Sequence, residues 1–152
     1  MLFKTVIIED EPNSLEAITT LIKNYTTNLE LTGSAGGVDE AVKLIMVQKP
    51  QLVFMDVRIA DGTGFAVLRK LPVINFELIF VTAYDSYAME AIKFSAVDYL
   101  MKPVGIQEFE EAIVRVLKRL DEKNKHRNVE TLLFNLSQQN NNEKKISIPT
   151  AT

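Results

Sequence analysis

Hydrophobic and polar positions alternate along this chain in two periods, and the period switches regularly from the N-terminus to about Leu120. Short runs rich in apolar and β-branched residues at 3–8, 29–33, 52–55, 78–82 and 97–101 predict five strands. Three of these runs are nearly continuous apolar stretches, the pattern of strands covered on both faces. Between the strands, apolar residues recur every three or four positions. Asn13 followed by Glu16 reads as a capping box that introduces Leu15, Ile18, Thr19 and Ile22 on one helical face. Val38, Ala41, Val42, Ile45 and Met46 predict a second helix over 38–48, and two shorter ones are expected over 65–71 and 86–94. The last helix, over 106–120, carries Phe109, Ile113, Val116, Leu117 and Leu120 on one stripe.

Five alternating βα units predict an α/β fold, an open (βα)5 doubly wound parallel sheet with helices on both faces. The expected strand order is 2-1-3-4-5, with a crevice at the carboxyl ends of strands 1 and 3. A closed barrel needs eight such units and is excluded by length. After Leu120 the composition turns polar in "DEKNKHRNVETLLFNLSQQNNNEKK", with an apolar island at Val129, Leu132, Leu133 and Leu136. That island predicts a helical extension, followed by an Asn-rich linker at Asn140, Asn141 and Asn142. Finally, "KKISIPTAT" alternates Ile146 and Ile148 with polar residues, as a half-buried strand does. A lone strand has no sheet to join, so it is expected to open a further domain that is largely missing. The expected division is a first domain over 1–122, a helical and polar linker over 123–145, and the start of that truncated domain over 146–152.

Composition narrows the class. With 152 residues, 47% of them hydrophobic and 24% charged, the chain suits one soluble domain and a little more. A net charge of −3 gives no broad basic surface for nucleic acid. The absence of cysteine excludes disulfides and thiolate metal sites. The apolar run in "MLFKTVIIED" is too short for a signal peptide or a membrane span, so a cytoplasmic protein with no membrane partner is expected.

The candidate chemistry lies at the strand tips. Glu9, Asp10 and Glu11 follow strand 1, Asp56 follows strand 3, Thr82 closes strand 4 and Lys102 follows strand 5. In a parallel sheet all of these tips share one edge. Each has an ordinary explanation alone: a turn acid, a helix-favouring charge, a β-branched strand residue, a loop lysine. Together they make a set. Converging carboxylates repel and call for a counter-charge. Mg²⁺ suits a site with few carboxylates and several waters, and Lys102 adds a fixed positive charge. With Thr82 and Lys102 to hold phosphoryl oxygens, the set matches phosphoryl transfer, and Asp56 is the expected nucleophile.

The motifs "VIIEDEP", "VFMDVRIADGTGF", "IFVTAY" and "VDYLMKP", in this order and each at a strand end, resemble the receiver domain of bacterial two-component response regulators over about Leu2 to Leu120. The resemblance implies a flavodoxin-like fold and a phosphorylation-controlled switch in which Asp56 accepts a phosphoryl group from a histidine kinase. It implies that Asp10, Asp56 and the backbone carbonyl of Arg58 ligate Mg²⁺, with Glu9 acting through water. Thr82 and Lys102 would each hold a phosphoryl oxygen, and Tyr99 stands at the family's switch aromatic. A cis Lys102–Pro103 peptide is expected on the same ground. Phosphorylation should draw Thr82 inward, turn Tyr99, and cause homodimerisation through the fourth helix, fifth strand and fifth helix.

Two positions depart from the family's commoner pattern. Glu9 stands for Asp, and Ile59-Ala60 stands for Met-Pro, a change expected to loosen the loop after Asp56. The segment "VTAYDSYAMEAIKFSAVDYLMKP" looks most like receivers joined to a LytTR-type DNA-binding domain, and "ISIPT" suits the opening of such an effector. DNA would be bound only through that missing effector domain.

His126, the only histidine, reads as a solvated tail residue. Met46, Met55, Met89 and Met101 read as core filling. Tyr84 and Tyr87 flank the loop after Thr82 as packing residues, Tyr84 also being placed to screen an acyl phosphate from water. Gly36-Gly37 reads as a plain turn. Catalysis is expected to be confined to the chain's own acylation and hydrolysis, so no enzyme acting on a separate substrate is expected. A flavin carrier would need a phosphate loop where "EDEPNS" places acids, and an aspartate-nucleophile phosphatase would need an acid where Arg58 stands. A receiver-like protein-interaction module working without phosphorylation is the remaining alternative.

Overall fold

The computed structural model describes residues 1–143, so the strand expected around Ile146 and Ile148 lies outside the described residues. Two compact units divide at Val116 and Leu117. In the first unit, the strands β1 (Phe3–Ile8), β2 (Leu29–Ala35), β3 (Leu52–Met55), β6 (Glu77–Thr82) and β7 (Asp98–Met101) form one parallel sheet in the order β2-β1-β3-β6-β7. Because β4 (Arg58–Ile59) and β5 (Gly62–Thr63) pair only with each other, this is the expected 2-1-3-4-5 order of a flavodoxin-like sheet.

Register follows the apolar runs. Thr5 to Ile8 pair with Leu52 to Met55, and those four residues pair in turn with Glu77 to Phe80. The central strands are therefore apolar on both faces, with Ile7, Ile8, Phe54, Ile79 and Phe80 fully buried. The helices are α1 (Pro12–Tyr25), α2 (Val38–Gln48), α3 (Gly64–Lys70), α4 (Ala88–Lys93) and α5 (Ile106–Glu143). Ile18 and Ile22 of α1 and Phe109, Ile113 and Val116 of α5 are buried, as their stripes predict. Phe54 meets the ring of Phe109, centroids 6.0 Å apart.

Four local readings are corrected. The Asn13–Glu16 capping box does not form: Glu11 is the N-cap, and Pro12 occupies the first helical turn, where its missing N–H costs nothing. Helix α4 is shorter than expected, with only Ala91 buried. Met46 and Met89 are exposed rather than core filling, while Met55 is fully buried. Gly37 is more than a turn residue, since it serves as the N-cap of α2.

From Leu117 the second unit continues α5 as helix to Glu143, including Asn140 to Asn142, where linker was expected. Its apolar island at Val129, Leu132, Leu133 and Leu136 is exposed. His126 is also exposed, and its Nε2 lies 2.9 Å from Glu130 Oε1 one helical turn on. Among the described residues no helix is long and apolar enough to cross a membrane.

Candidate functional site

The carboxyl ends of β1, β3, β6 and β7 come together because the ladder continues past them. Asp56 N–H donates to Ile8 O at 2.9 Å, Glu9 N–H to Ala35 O at 2.8 Å, and Lys102 N–H to Thr82 O at 2.9 Å. Glu9, Asp56 and Lys102 are thereby each held by a backbone bond just beyond a strand. Gly64 is required directly behind the site, where a Cβ would stand 2.5 Å from the Asp56 carbonyl oxygen.

Lys102 sits at the centre. Its Nζ lies 2.8 Å from Asp56 Oδ2 and 2.8 Å from Glu9 Oε1. Asp56 and Glu9 are buried, at 6% and 4% exposure, whereas Asp10 is exposed. Burial pushes the Glu9 carboxyl above its ordinary range, and Lys102 only partly offsets this. Burial works against the Lys102 ammonium, yet its hydrogen bond to Asp56 and the nearby Glu9 carboxylate prevail and its pKa is raised. Glu9 Oε2 accepts from the Glu11 N–H at 3.1 Å. Glu9 Oε1 has no well-directed hydrogen bond despite its closeness to Lys102.

The donor set fits Mg²⁺. Among the described residues no three His, Cys, Asp or Glu side chains close into a metal cage: Glu9 and Asp56 flank Lys102, and Asp10, next to Glu9 in the chain, is exposed. Mg²⁺ needs no such cage, since it takes one or two carboxylates and keeps several waters. The buried, poorly satisfied Glu9 oxygen is the kind of atom that a nearby cation and its water would serve.

Thr82 is fully buried, and its Oγ1 accepts from the Tyr84 N–H at 3.3 Å, a bond that leaves the hydroxyl proton uncommitted. Tyr99 is half-buried and donates its hydroxyl to the Tyr84 carbonyl, while its ring packs 6.1 Å from Phe80. The Lys102–Pro103 peptide is cis, as expected.

The loop after Asp56 is better braced than the missing proline suggests. Ala60 N–H donates to Gly36 O at 3.0 Å, a bond that proline could not make. Asp61 Oδ1 accepts from Val38 N–H at 2.7 Å and so caps α2 from across the chain. Sequence reading missed that cap and took the "ADG" segment for loop alone. It also missed the Arg58 side chain, whose guanidinium donates to Tyr87 Oη at 3.0 Å and lies 4.9 Å from the Tyr84 ring centroid.

Residues 5–114 match the response regulator receiver domain. The sensory transduction protein LytT of Bacillus cereus is 32% identical over 132 residues, which cover 86% of this chain and 51% of LytT. The transcriptional regulatory protein LytR of Staphylococcus aureus is 32% identical over 125 residues, covering 80% of this chain and 50% of LytR. The chain thus spans about half the length of the curated relatives it matches. Among solved structures, the receiver domain of AraT, a response regulator from Geobacillus stearothermophilus, superposes with a TM-score of 0.73 at 31% identity, covering 82% of this chain and 99% of that one. The response regulatory domain of protein mrkE from Klebsiella pneumoniae shares the fold, with a TM-score of 0.72 at 22% identity, covering 78% of this chain and 98% of that one.

Proposed function

This chain belongs to the response regulator receiver domain family, with LytT- and LytR-type regulators among its relatives, and from that membership we propose that it is switched by phosphorylation of Asp56. The observation that carries the reading is the Lys102 ammonium, 2.8 Å from both Asp56 and Glu9 at the sheet edge beside buried Thr82. In the transfer, an Asp56 carboxylate oxygen forms a bond to phosphorus as the bond between phosphorus and the kinase imidazole nitrogen breaks. The imidazole leaves with that electron pair, and water later restores the carboxylate and releases inorganic phosphate. Lys102 pairs with one phosphoryl oxygen, and Thr82 donates its uncommitted hydroxyl proton to another.

Asp10, Asp56 and the Arg58 carbonyl would hold Mg²⁺, with Glu9 reaching it through water. Bound there, the ion neutralises charge on the phosphoryl oxygens. The donor is a histidine kinase, the partner with which response regulators interact. The expected response is homodimerisation through α4, β7 and α5. Met89 and Ile92 are exposed on α4, and an Arg115–Asp98 ion pair ties α5 to β7, in keeping with that face. The names of the longer relatives support an output in transcriptional regulation.

Acetyl phosphate with Mg²⁺ should add one phosphoryl mass to the intact chain. Asp56→Asn or chelation of the metal should abolish that mass shift. Labelling that persists in Asp56→Asn would refute the assignment and favour a module working without phosphorylation at this site.

A further inference from the structure

Arg58 stands two residues after the nucleophilic carboxylate, and its backbone N–H points to Asp56 Oδ1 at 3.4 Å. Its side chain is exposed and, among the described residues, forms no ion pair with a carboxylate. It clasps two aromatic residues of the loop after β6 instead. The Nη2 group donates to Tyr87 Oη at 3.0 Å, and the guanidinium carbon lies 4.9 Å from the Tyr84 ring centroid and 6.0 Å from that of Tyr87. The two rings meet edge to face, 6.3 Å apart.

That loop is where Thr82 and Tyr99 are tied. The Tyr84 N–H bonds Thr82 Oγ1, and the Tyr84 carbonyl receives the Tyr99 hydroxyl. One cation therefore holds, through two side chains, the peptide segment that fixes both Thr82 and Tyr99. Its present acceptor is the single Tyr87 Oη. A phosphoryl group on Asp56 would offer several charged oxygens, and a guanidinium can pair with phosphate through two parallel charge-assisted hydrogen bonds where the phenol takes only one.

We propose that Arg58 is a positioning residue of the switch. In the resting state its guanidinium pins Tyr84 and Tyr87, and on phosphorylation it passes from Tyr87 to a phosphoryl oxygen and releases the loop. This inference rests on the phosphorylation of Asp56 proposed above. The clasp stabilises the resting state only, so weakening it while keeping Arg58 must favour the activated state. Tyr87→Phe removes the phenol acceptor and keeps the ring against Phe65, 6.1 Å away. Arg58→Met removes the clasp and the later phosphoryl contact together, but leaves the backbone carbonyl in place.

The test is a titration of the full chain with beryllofluoride and Mg²⁺, followed by amide NMR shifts of Thr82 and Tyr84, in the wild type, Tyr87→Phe, Arg58→Met and the double variant. Tyr87→Phe should bind about fivefold more tightly than the wild type, the effect of one modest hydrogen bond. Arg58→Met should bind more weakly, and adding Tyr87→Phe to it should change nothing further. An unchanged affinity in Tyr87→Phe, or a gain that persists without Arg58, would overturn the inference while leaving phosphorylation of Asp56 intact. A wild type that does not bind beryllofluoride would overturn both. Thermal melts of each variant separate these outcomes from misfolding, with Tyr87→Phe as the variant least disturbing to the core.

Discussion

Tyr99, hydrogen-bonded to the Tyr84 carbonyl and packed against Phe80, gives stability a pH dependence in the alkaline range. Burial raises its pKa above the ordinary phenol value, with further upward contributions from the negative charges of Asp85 and Asp56. The folded chain therefore holds the phenol proton more tightly than the unfolded chain does. The stability this contributes is fully present below about pH 10, the unfolded value, and is lost as pH rises through the higher folded value. Tyr99→Phe should remove that alkaline loss while leaving stability at neutral pH changed only by the missing bond to the Tyr84 carbonyl. Denaturant melts between pH 8 and roughly pH 11, bracketing the phenol range, check this. An identical alkaline slope in both proteins would contradict it. Lys102 obeys the same logic with a cationic group: its raised pKa keeps the ammonium charged between Asp56 and Glu9 throughout the neutral range.

The elements around the site are coupled by short backbone and capping bonds rather than by apolar contact alone. The N-cap of helix α2 is Gly37, which has no side chain with which to cap it, and Asp61 supplies the missing acceptor. The same loop carries the β4–β5 ribbon and Arg58, so the cap ties α2 to the segment expected to hold Mg²⁺. Asp61→Ala should cost about 1 kcal/mol, typical of a lost N-cap. It should also speed amide exchange at Val38 and across 58–63. Hydrogen exchange read residue by residue is the measurement, and an effect confined to α2 would show that the ribbon does not depend on the cap.

At the scale of the molecule, the expected consequence of phosphorylation is a change of assembly. Sedimentation of the full chain at high micromolar concentration should give a monomer without beryllofluoride and a dimer with it. A beryllofluoride-bound monomer would remove the α4–β7–α5 dimer from the mechanism. The extended α5 adds an exposed apolar island at Val129, Leu132, Leu133 and Leu136, so Leu132→Ser with Leu136→Ser is the control that separates association through that helix from association through the first unit.

Much of this was legible in the sequence because it depends on period and order. Strands buried on both faces read as nearly continuous apolar runs, as 52–55 does and as 3–8 does apart from Lys4 and Thr5, and both bounds match the observed strands. Five such runs separated by helical stripes dictate a parallel sheet, and a parallel sheet puts Glu9, Asp56, Thr82 and Lys102 on one edge whatever their side chains do. The sequence could not decide contacts between residues far apart in the chain, because such partners leave no periodic trace. Asp61 reaches Val38 and Arg58 reaches Tyr87 only once the sheet has brought their loops together. The competition around Lys102 is of the same kind: burial decides how Glu9 and Asp56 share one ammonium, and burial is a property of the folded chain.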